Sequence, residues 1–386
     1  MNKAVLYQNS NGVQRNDAEQ VFNEFSSVWK WRSNGRDTLL DVGCGSGDVT
    51  IDLILPFLPD NFERLVECDI SDEMVNHARH KKGKQQEYKL GQFLKRRYNK
   101  LIGDKYSPDK VYVRSTDYDR TIMSALVNLA GLYPPTGDDI WNEDISNWQP
   151  IPVHTIPLIA DYVLYGPKNC SKYDAVFQEY IKNSPEVQKL QTKYQQLLKF
   201  WSKMCGSDIK TIGDASLLYN TLYIENLHNK SLAAWAQKAI EPNGIMEYMA
   251  KFYFQMGSAT PQLARLRTGF LIKEMLERFT QKINATLSPD RSLWLYSSHD
   301  LMISNMLNTL GLFKLHLPNY ASSLHFELYK TEKNESYFQF FYRNAEEEHL
   351  LPMNIPKCGE KCSLDQFYAA YSEIIPGDRD TECSLP

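Results

Sequence analysis

The 386-residue chain has no long apolar run. None of its hydrophobic stretches approaches the ~18–20 residues that span a bilayer, so no transmembrane helix is expected. It also lacks a surplus of either charge. With 43 Lys and Arg against 47 Asp and Glu, the net charge of -4 removes the electrostatic ground for a nucleic-acid or anionic-membrane partner. No internal repeat and no low-complexity tract occur, which excludes a solenoid and a disordered linker protein. The opening Met1-Asn2-Lys3-Ala4-Val5-Leu6-Tyr7-Gln8-Asn9 turns polar too early for a signal peptide. What is present is ordinary for a folded protein: 42% hydrophobic and 23% charged residues, in a length that suits two or three domains.

Cysteines and glycosylation sequons are spread unevenly. Cys44 and Cys68 precede residue 82 and read as buried thiols, while Cys170, Cys205, Cys358, Cys362 and Cys383 follow it. Cys358-Gly359-Glu360-Lys361-Cys362 has no His or further Cys at metal-ligand spacing, which favours a disulfide over zinc. Asn-x-Ser/Thr sequons begin at Asn169, Asn229, Asn284 and Asn334, all in the later part. Four in one part and none in the other place that part in an oxidising, secretory compartment. The chain as written offers no leader to take it there, which leaves the cytoplasm open as its location.

Periodicity divides the chain in the same way. Residues 12–30 carry a weakly amphipathic helical pattern, 38–42 and 65–69 read as strands, and 48–57 as the helix between them. A second helix starts near Ser71 and meets no stop signal until about residue 102, with Gly83 as its weak point. Strand 110–114 and helix 119–132 follow. From about 138 to 260 the chain is rich in Pro, Trp and Tyr, then helical at 184–204 and 231–254, as an inserted cap. The α/β pattern returns with helix 264–283, strand 293–297, helix 301–310 and strands 324–329 and 337–342.

Two motifs carry chemistry, and they belong to different reactions. Asp41-Val42-Gly43-Cys44-Gly45-Ser46-Gly47 places glycines where backbone must turn sharply and approach a ligand. Asp69 closes the next strand, where a carboxylate accepts both ribose hydroxyls. With Val66-Glu67-Cys68-Asp69-Ile70-Ser71-Asp72-Glu73-Met74, this stretch resembles the S-adenosylmethionine-dependent methyltransferases, the insect juvenile hormone acid methyltransferase group in particular. The resemblance covers residues 1–82, a partial Rossmann-like β-α-β-α segment. It implies S-adenosylmethionine as cofactor, held by Asp41, Gly43, Gly45, Gly47 and Asp69. A glycine-rich turn without a ligand is the alternative, because the other strands of such an enzyme and its acceptor pocket have no counterpart.

From Gly83 onward the chain resembles the histidine acid phosphatases. The resemblance rests on Gly83-Lys84-Gln85-Gln86-Glu87-Tyr88-Lys89-Leu90-Gly91, Val111-Tyr112-Val113-Arg114-Ser115-Thr116-Asp117 and Trp148-Gln149-Pro150-Ile151-Pro152-Val153-His154-Thr155. Tyr296-Ser297-Ser298-His299-Asp300 and Cys358-Gly359-Glu360-Lys361-Cys362 complete it. It implies a domain over 83–386, an α/β three-layer sandwich with the cap inserted at 138–260. It also implies phosphomonoester hydrolysis without a cofactor. Arg114 would clamp phosphate oxygens, His299 would donate a hydrogen bond to them, and Asp300 would protonate the leaving alkoxide, favouring acidic pH. The partners implied are a phosphomonoester or inorganic phosphate, with a homodimer possible, in a secreted or lysosomal setting. The disulfides implied are Cys358–Cys362 and Cys170–Cys383. A third pair would fall at Ile224 and Ser323, and Cys205 is left over. Set against these readings are plainer ones: Arg114 paired with Asp117 or Asp119, and His299-Asp300 capping the next helix.

The family's nucleophile motif, Arg-His-Gly-x-Arg-x-Pro, is missing. None of the eight histidines is followed by Gly-x-Arg. Arg79-His80-Lys81-Lys82-Gly83 is the nearest stretch, and it sits in a helical pattern rather than a tight turn. The expectation is therefore a fusion: a methyltransferase fragment joined to an acid phosphatase without its first strand and with little activity. A methyltransferase with a C-terminal partner and a non-catalytic anion-binding secreted protein are the alternatives. One long helix from Ser71 to about residue 102, or two collinear ones, should cross the join, and strand 65–69 should take the vacant central place in the second sheet.

Overall fold

The computed structural model describes the backbone of residues 38–42, 64–68, 72–227, 230–344 and 348–385, and side chains from residue 83 onward. The chain divides into two compact units, Met1–Lys81 and Lys82–Pro386. In the first, β1 (Thr38–Val42) pairs in parallel with β2 (Arg64–Cys68), with Thr38 opposite Arg64 and Val42 opposite Cys68. The helices expected at 12–30 and 48–57 lie outside the described residues.

Helix α1 (Asp72–Ile102) is continuous over 31 residues, as the missing stop signal implied. A Cβ at Gly83 would meet open space, so that glycine costs the helix only its ~1 kcal/mol of propensity. Farther along, α1 crosses α2 (Asp119–Leu132) through two glycines. A Cβ on Gly91 would lie 2.0 Å from the Asn128 carbonyl oxygen, and one on Gly131 would lie 2.2 Å from that of Tyr88. The helices touch backbone to backbone, which only glycine permits at both positions. Leu90, Phe93, Leu94, Ala125, Leu129 and Leu132 then pack against β3 (Val111–Thr116).

Strand β3 lies between β4 (His154–Ile156) and β5 (Leu293–Ser297), parallel to both. Arg114 stands opposite His154 on one side and Tyr296 on the other, so the strands end together. A hairpin of β6 (Ser323–Lys330) and β7 (Ser336–Arg343) forms a separate antiparallel sheet. Its outer edge on β7 is closed by Met353 N–H to Phe340 C=O, 2.8 Å, and by a bridge between Phe338 and Cys362. Among the described residues β2 pairs with β1, and the larger unit's parallel sheet consists of β3, β4 and β5.

The helical insertion comprises α3 (Ser171–Asn183), α4 (Pro185–Lys193), α5 (Gln195–Cys205), α6 (Ile212–Leu227), α7 (Ala234–Ala239) and α8 (Ile245–Met256). It has its own core, built on Val187, Leu198, Trp201, Ile212, Met246 and Phe252. The helix expected over 184–204 breaks at Tyr194, and that over 231–254 breaks at Pro242-Asn243-Gly244, where Asn243 has φ +62°. After the insertion come α9 (Pro261–Arg267), α10 (Gly269–Ile283), α11 (Asp300–Thr309), α12 (Leu364–Tyr371) and α13 (Arg379–Cys383). A single helix over 264–283 was expected. The chain bends at Thr268 because Gly269 lies against the Ile374 carbonyl, 2.2 Å from where a Cβ would sit.

Both expected disulfides form. Cys170 and Cys383 have Cα atoms 4.6 Å apart and tie the start of α3 to α13, while Cys358 and Cys362 are 5.2 Å apart. Cys205 is unpaired. The two N-terminal cysteines fall where side chains are not described.

Candidate active site

Parallel strands present their C-terminal ends, and the loops after them, to a common crevice. Here β3 delivers Arg114, Ser115 and Thr116 to that place, and β5 delivers Ser297, Ser298 and His299. Hydrogen bonds lock the two ends together. Thr116 Oγ1 lies 2.8 Å from Thr121 Oγ1 and 3.1 Å from His299 Nε2. Ser297 Oγ donates to the Thr121 carbonyl at 2.7 Å, and Ser298 Oγ to that of Leu164 at 2.9 Å.

His299 occupies the N-cap position of α11 without a side-chain capping bond, so helix capping is not its task. Its ring is held edge-on by two tyrosines, Tyr118 at 5.4 Å and Tyr165 at 5.8 Å, whose hydroxyls are 2.9 Å apart. Burial pushes its pKa down to about 4, and the positive charges of Arg120 and Arg267 push the same way. Both arginines lie near residues that flank the imidazole. Arg120 lies over the Tyr118 ring, 4.2 Å from its centroid. Arg267 comes so close to Gly166 that a Cβ there would be 2.6 Å from its Nη1, and the φ of +109° requires glycine independently. Asp300 is the first residue of α11 and exposed, its Oδ1 accepting from the Leu301 N–H at 2.8 Å.

The Arg114 guanidinium is buried in an ion pair with Asp161, and its Nη1 is 3.7 Å from Glu274 Oε2. Glu274 in turn accepts from the Tyr296 hydroxyl at 2.5 Å and pairs with Arg278 at 2.8 Å. The partners are therefore Asp161 and Glu274, not Asp117 or Asp119. Arg120 is the residue that the sequence reading passed over. Its signal was its position in the first turn of the helix that follows β3, where a side chain points back toward the strand ends.

Of the five residues read as a cofactor cradle, Asp41 lies in β1 opposite Glu67. Gly43, Gly45, Gly47 and Asp69 lie outside the described residues.

The sequence of the larger unit matches known proteins over most of its length. The model for the histidine phosphatase superfamily (branch 2) matches residues 71–343. The chain belongs to that superfamily. Human prostatic acid phosphatase is 36% identical over 305 residues, 78% of this chain and 78% of its own. Human lysosomal acid phosphatase is 33% identical over 308 residues, 79% of this chain and 72% of its own. Hafnia alvei phytase, solved with myo-inositol hexakis sulphate, superposes with a TM-score of 0.57 over 79% of this chain and 88% of that one. At 19% identity, it shares the histidine phosphatase fold. The N-terminal part matches a second model, that of the ubiE/COQ5 methyltransferase family, over residues 5–118.

Proposed function

We propose that this histidine phosphatase binds phosphomonoesters or inorganic phosphate at the strand ends but hydrolyses them little or not at all. The carrying observation is that a receiving site persists without a nucleophile. Arg120 lies over the Tyr118 ring and Arg267 against Gly166, next to the Tyr118 and Tyr165 rings that hold His299. No histidine in the chain is followed by Gly-x-Arg, and His80 falls within helix α1. Arg120 and Arg267 neutralise the phosphate, since a guanidinium fork matches its oxygens. His299 hydrogen-bonds one oxygen, and Asp300 stands where a leaving alkoxide would take its proton. Arg114, held at the end of β3 by Asp161 and Glu274, clamps phosphate oxygens beside them. Without a histidine to accept the phosphoryl group the reaction has no covalent intermediate. Titration with inorganic phosphate, alongside turnover of an aryl phosphate at acidic pH, tests this reading. Saturable binding with negligible turnover is expected, and efficient turnover by the unmodified chain would overturn it.

A secretory or lysosomal setting is part of the proposal. Asn169, Asn284 and Asn334 are all exposed, as glycosylation acceptors must be, and two disulfides are formed. A homodimer is part of the proposal, and Trp141 and Trp148, both exposed and packed edge-on against each other, are its candidate contact. The methyltransferase match favours a second reading for the N-terminal unit: S-adenosylmethionine held by Asp41, Gly43, Gly45, Gly47 and Asp69. Equilibrium dialysis with labelled S-adenosylmethionine tests it, and no retention would remove it.

A further inference from the structure

One glycosylation sequon of this chain has a disulfide at its centre. Asn169-Cys170-Ser171 is an Asn-x-Ser tripeptide whose middle residue is bonded to Cys383. Asn169 is exposed, but the chain around it is held from both sides. Cys170 is wholly buried, in a cluster with Tyr173, Leu263, Leu266 and Cys383. Ser171 opens α3, and the Cys170 carbonyl accepts from the Asp174 N–H at 3.2 Å. Asn169 Nδ2 donates to the Ile159 carbonyl at 3.4 Å. Arg379, the first residue of α13, donates from Nη2 to the Lys168 carbonyl at 3.4 Å and to that of Asn169 at 3.5 Å. Cys383 ends the same helix, so α13 grips the tripeptide at two points. The sequons at Asn284 and Asn334 contain no cysteine and lie after α10 and between β6 and β7.

We propose that closure of the Cys170–Cys383 bond shuts Asn169 as a glycan acceptor, an inference that rests on the secretory setting proposed above. In the transfer, Asn169 Nδ2 bonds to the sugar C1 of a lipid-linked oligosaccharide. The bond from C1 to the lipid pyrophosphate breaks, and the amide gives up a proton as the pyrophosphate leaves. The transferring enzyme reads Asn and Ser together, so the tripeptide must leave the fold and enter a cleft. With the bond closed, that requires α13 and the first turn of α3 to open together. Closure oxidises both thiols, whose two electrons and two protons pass to the disulfide of an oxidoreductase and leave it a dithiol. Sequence spacing sets the order of the two events. Cys383 is made 213 residues after Cys170, which is about 10–40 s of synthesis. Through that interval Cys170 has no native partner and Asn169 is open, so its glycan is gained then or not at all.

The test uses the full chain prepared without glycans, a purified oligosaccharyltransferase and a lipid-linked oligosaccharide. Mass spectrometry reads the occupancy of each sequon. Asn169 should stay bare in the oxidised chain. Dithiothreitol, or Cys383→Ser with Cys358–Cys362 left intact, should each raise its occupancy by about tenfold or more. Asn284 and Asn334 should change far less under Cys383→Ser, since neither has a bridge within its tripeptide. Equal occupancy of Asn169 before and after opening would overturn the proposal. So would a bare Asn169 in the opened chain while Asn334 is modified. An equal rise at all three sites under Cys383→Ser would make general unfolding the cause and overturn it too. All three sequons bare in every arm would remove the glycosylation reading itself, and the gate with it.

Discussion

The guanidinium of Arg114 and the carboxylate of Asp161 form an ion pair in which both side chains are almost wholly removed from solvent, at 7% and 0% exposure. Asp161 Oδ1 also accepts from the Leu164 N–H at 3.0 Å, so the pair fixes the loop that carries Tyr165 beside the strand ends. Breaking a buried pair leaves one charge uncompensated. Arg114→Ala should destabilise the larger unit by about 3–5 kcal/mol in urea unfolding. Joint replacement of Arg114 and Asp161 by apolar residues should cost markedly less. Equal losses for the single and double variants would show that the charges are not coupled.

Arg120→Ala should have the opposite profile. Its guanidinium lies over the Tyr118 ring that packs edge-on against His299, and a charge-assisted hydrogen bond contributes about 1.5–3 kcal/mol. Phosphate affinity measured by calorimetry should fall by about one to two orders of magnitude with little change in melting temperature. Unchanged affinity would remove Arg120 from the site.

Anion binding should be coupled to proton uptake. The imidazole of His299 has its pKa pushed down to about 4 by burial, helped by Arg120 and Arg267. A bound phosphate offsets those charges and raises that pKa. At pH 5, calorimetry in buffers of different ionisation heat should therefore show protons taken up on binding. The uptake should vanish in His299→Gln. Buffer-independent heats in the parent chain would contradict the assignment.

Stability should vary with pH through three buried groups whose signs differ. His299 and His325 both sit at about 4, against an ordinary 6.5, chiefly because burial disfavours the imidazolium. As pH falls below 6.5 the unfolded chain protonates first, so their contribution shrinks until about pH 4. Glu87 is pushed up to about 7 from 4.5, again by burial, with Asn128 and Arg343 opposing. As pH rises above 4.5 the unfolded chain ionises first, so its contribution shrinks until about pH 7. Between 4.5 and 6.5 the two histidines therefore outweigh one carboxyl, and stability should fall on acidification. Each group is worth up to about 3 kcal/mol across its window. His325→Leu should flatten the acid loss and Glu87→Gln should steepen it. Thermal melts across this range measure both, and the reverse order would refute the assignment.

Gly131→Ala should be more damaging than an ordinary glycine substitution in a helix. The added methyl would meet the Tyr88 carbonyl, which is backbone and cannot rotate away. A loss of about 1–3 kcal/mol is expected in place of the usual gain in helix propensity. Gly83→Ala, with open space around it, should be neutral or stabilising.

Local pattern was enough for elements whose ends are set by their own residues. Helix 119–132 and strand 293–297 lie where periodicity placed them. The break at Thr268 was not legible, because it answers to a distant contact, that of Gly269 with Ile374. Helices 171–183 and 212–227 were missed within the aromatic-rich stretch. In the candidate site, Arg114 was legible from its motif but its partners were not. Its buried partners Asp161 and Glu274 lie 47 and 160 residues away, and no spacing rule reaches that far. Arg120 was six residues along, in plain view, and needed only the geometry of a strand turning into a helix.

The hairpin's separate sheet also bears on how the protein holds together as a cooperative unit. Across most sheets, opening one strand exposes the ladder of the next, so the whole sheet unfolds together. Among the described residues no ladder joins β6 or β7 to β3, β4 and β5. What ties the hairpin in is side chains: Phe338 and Phe340 share one buried core with Leu271, Met302 and Met306, and Glu327 pairs with Arg97. Cooperativity between the two sheets therefore rests on that core rather than on main-chain hydrogen bonds.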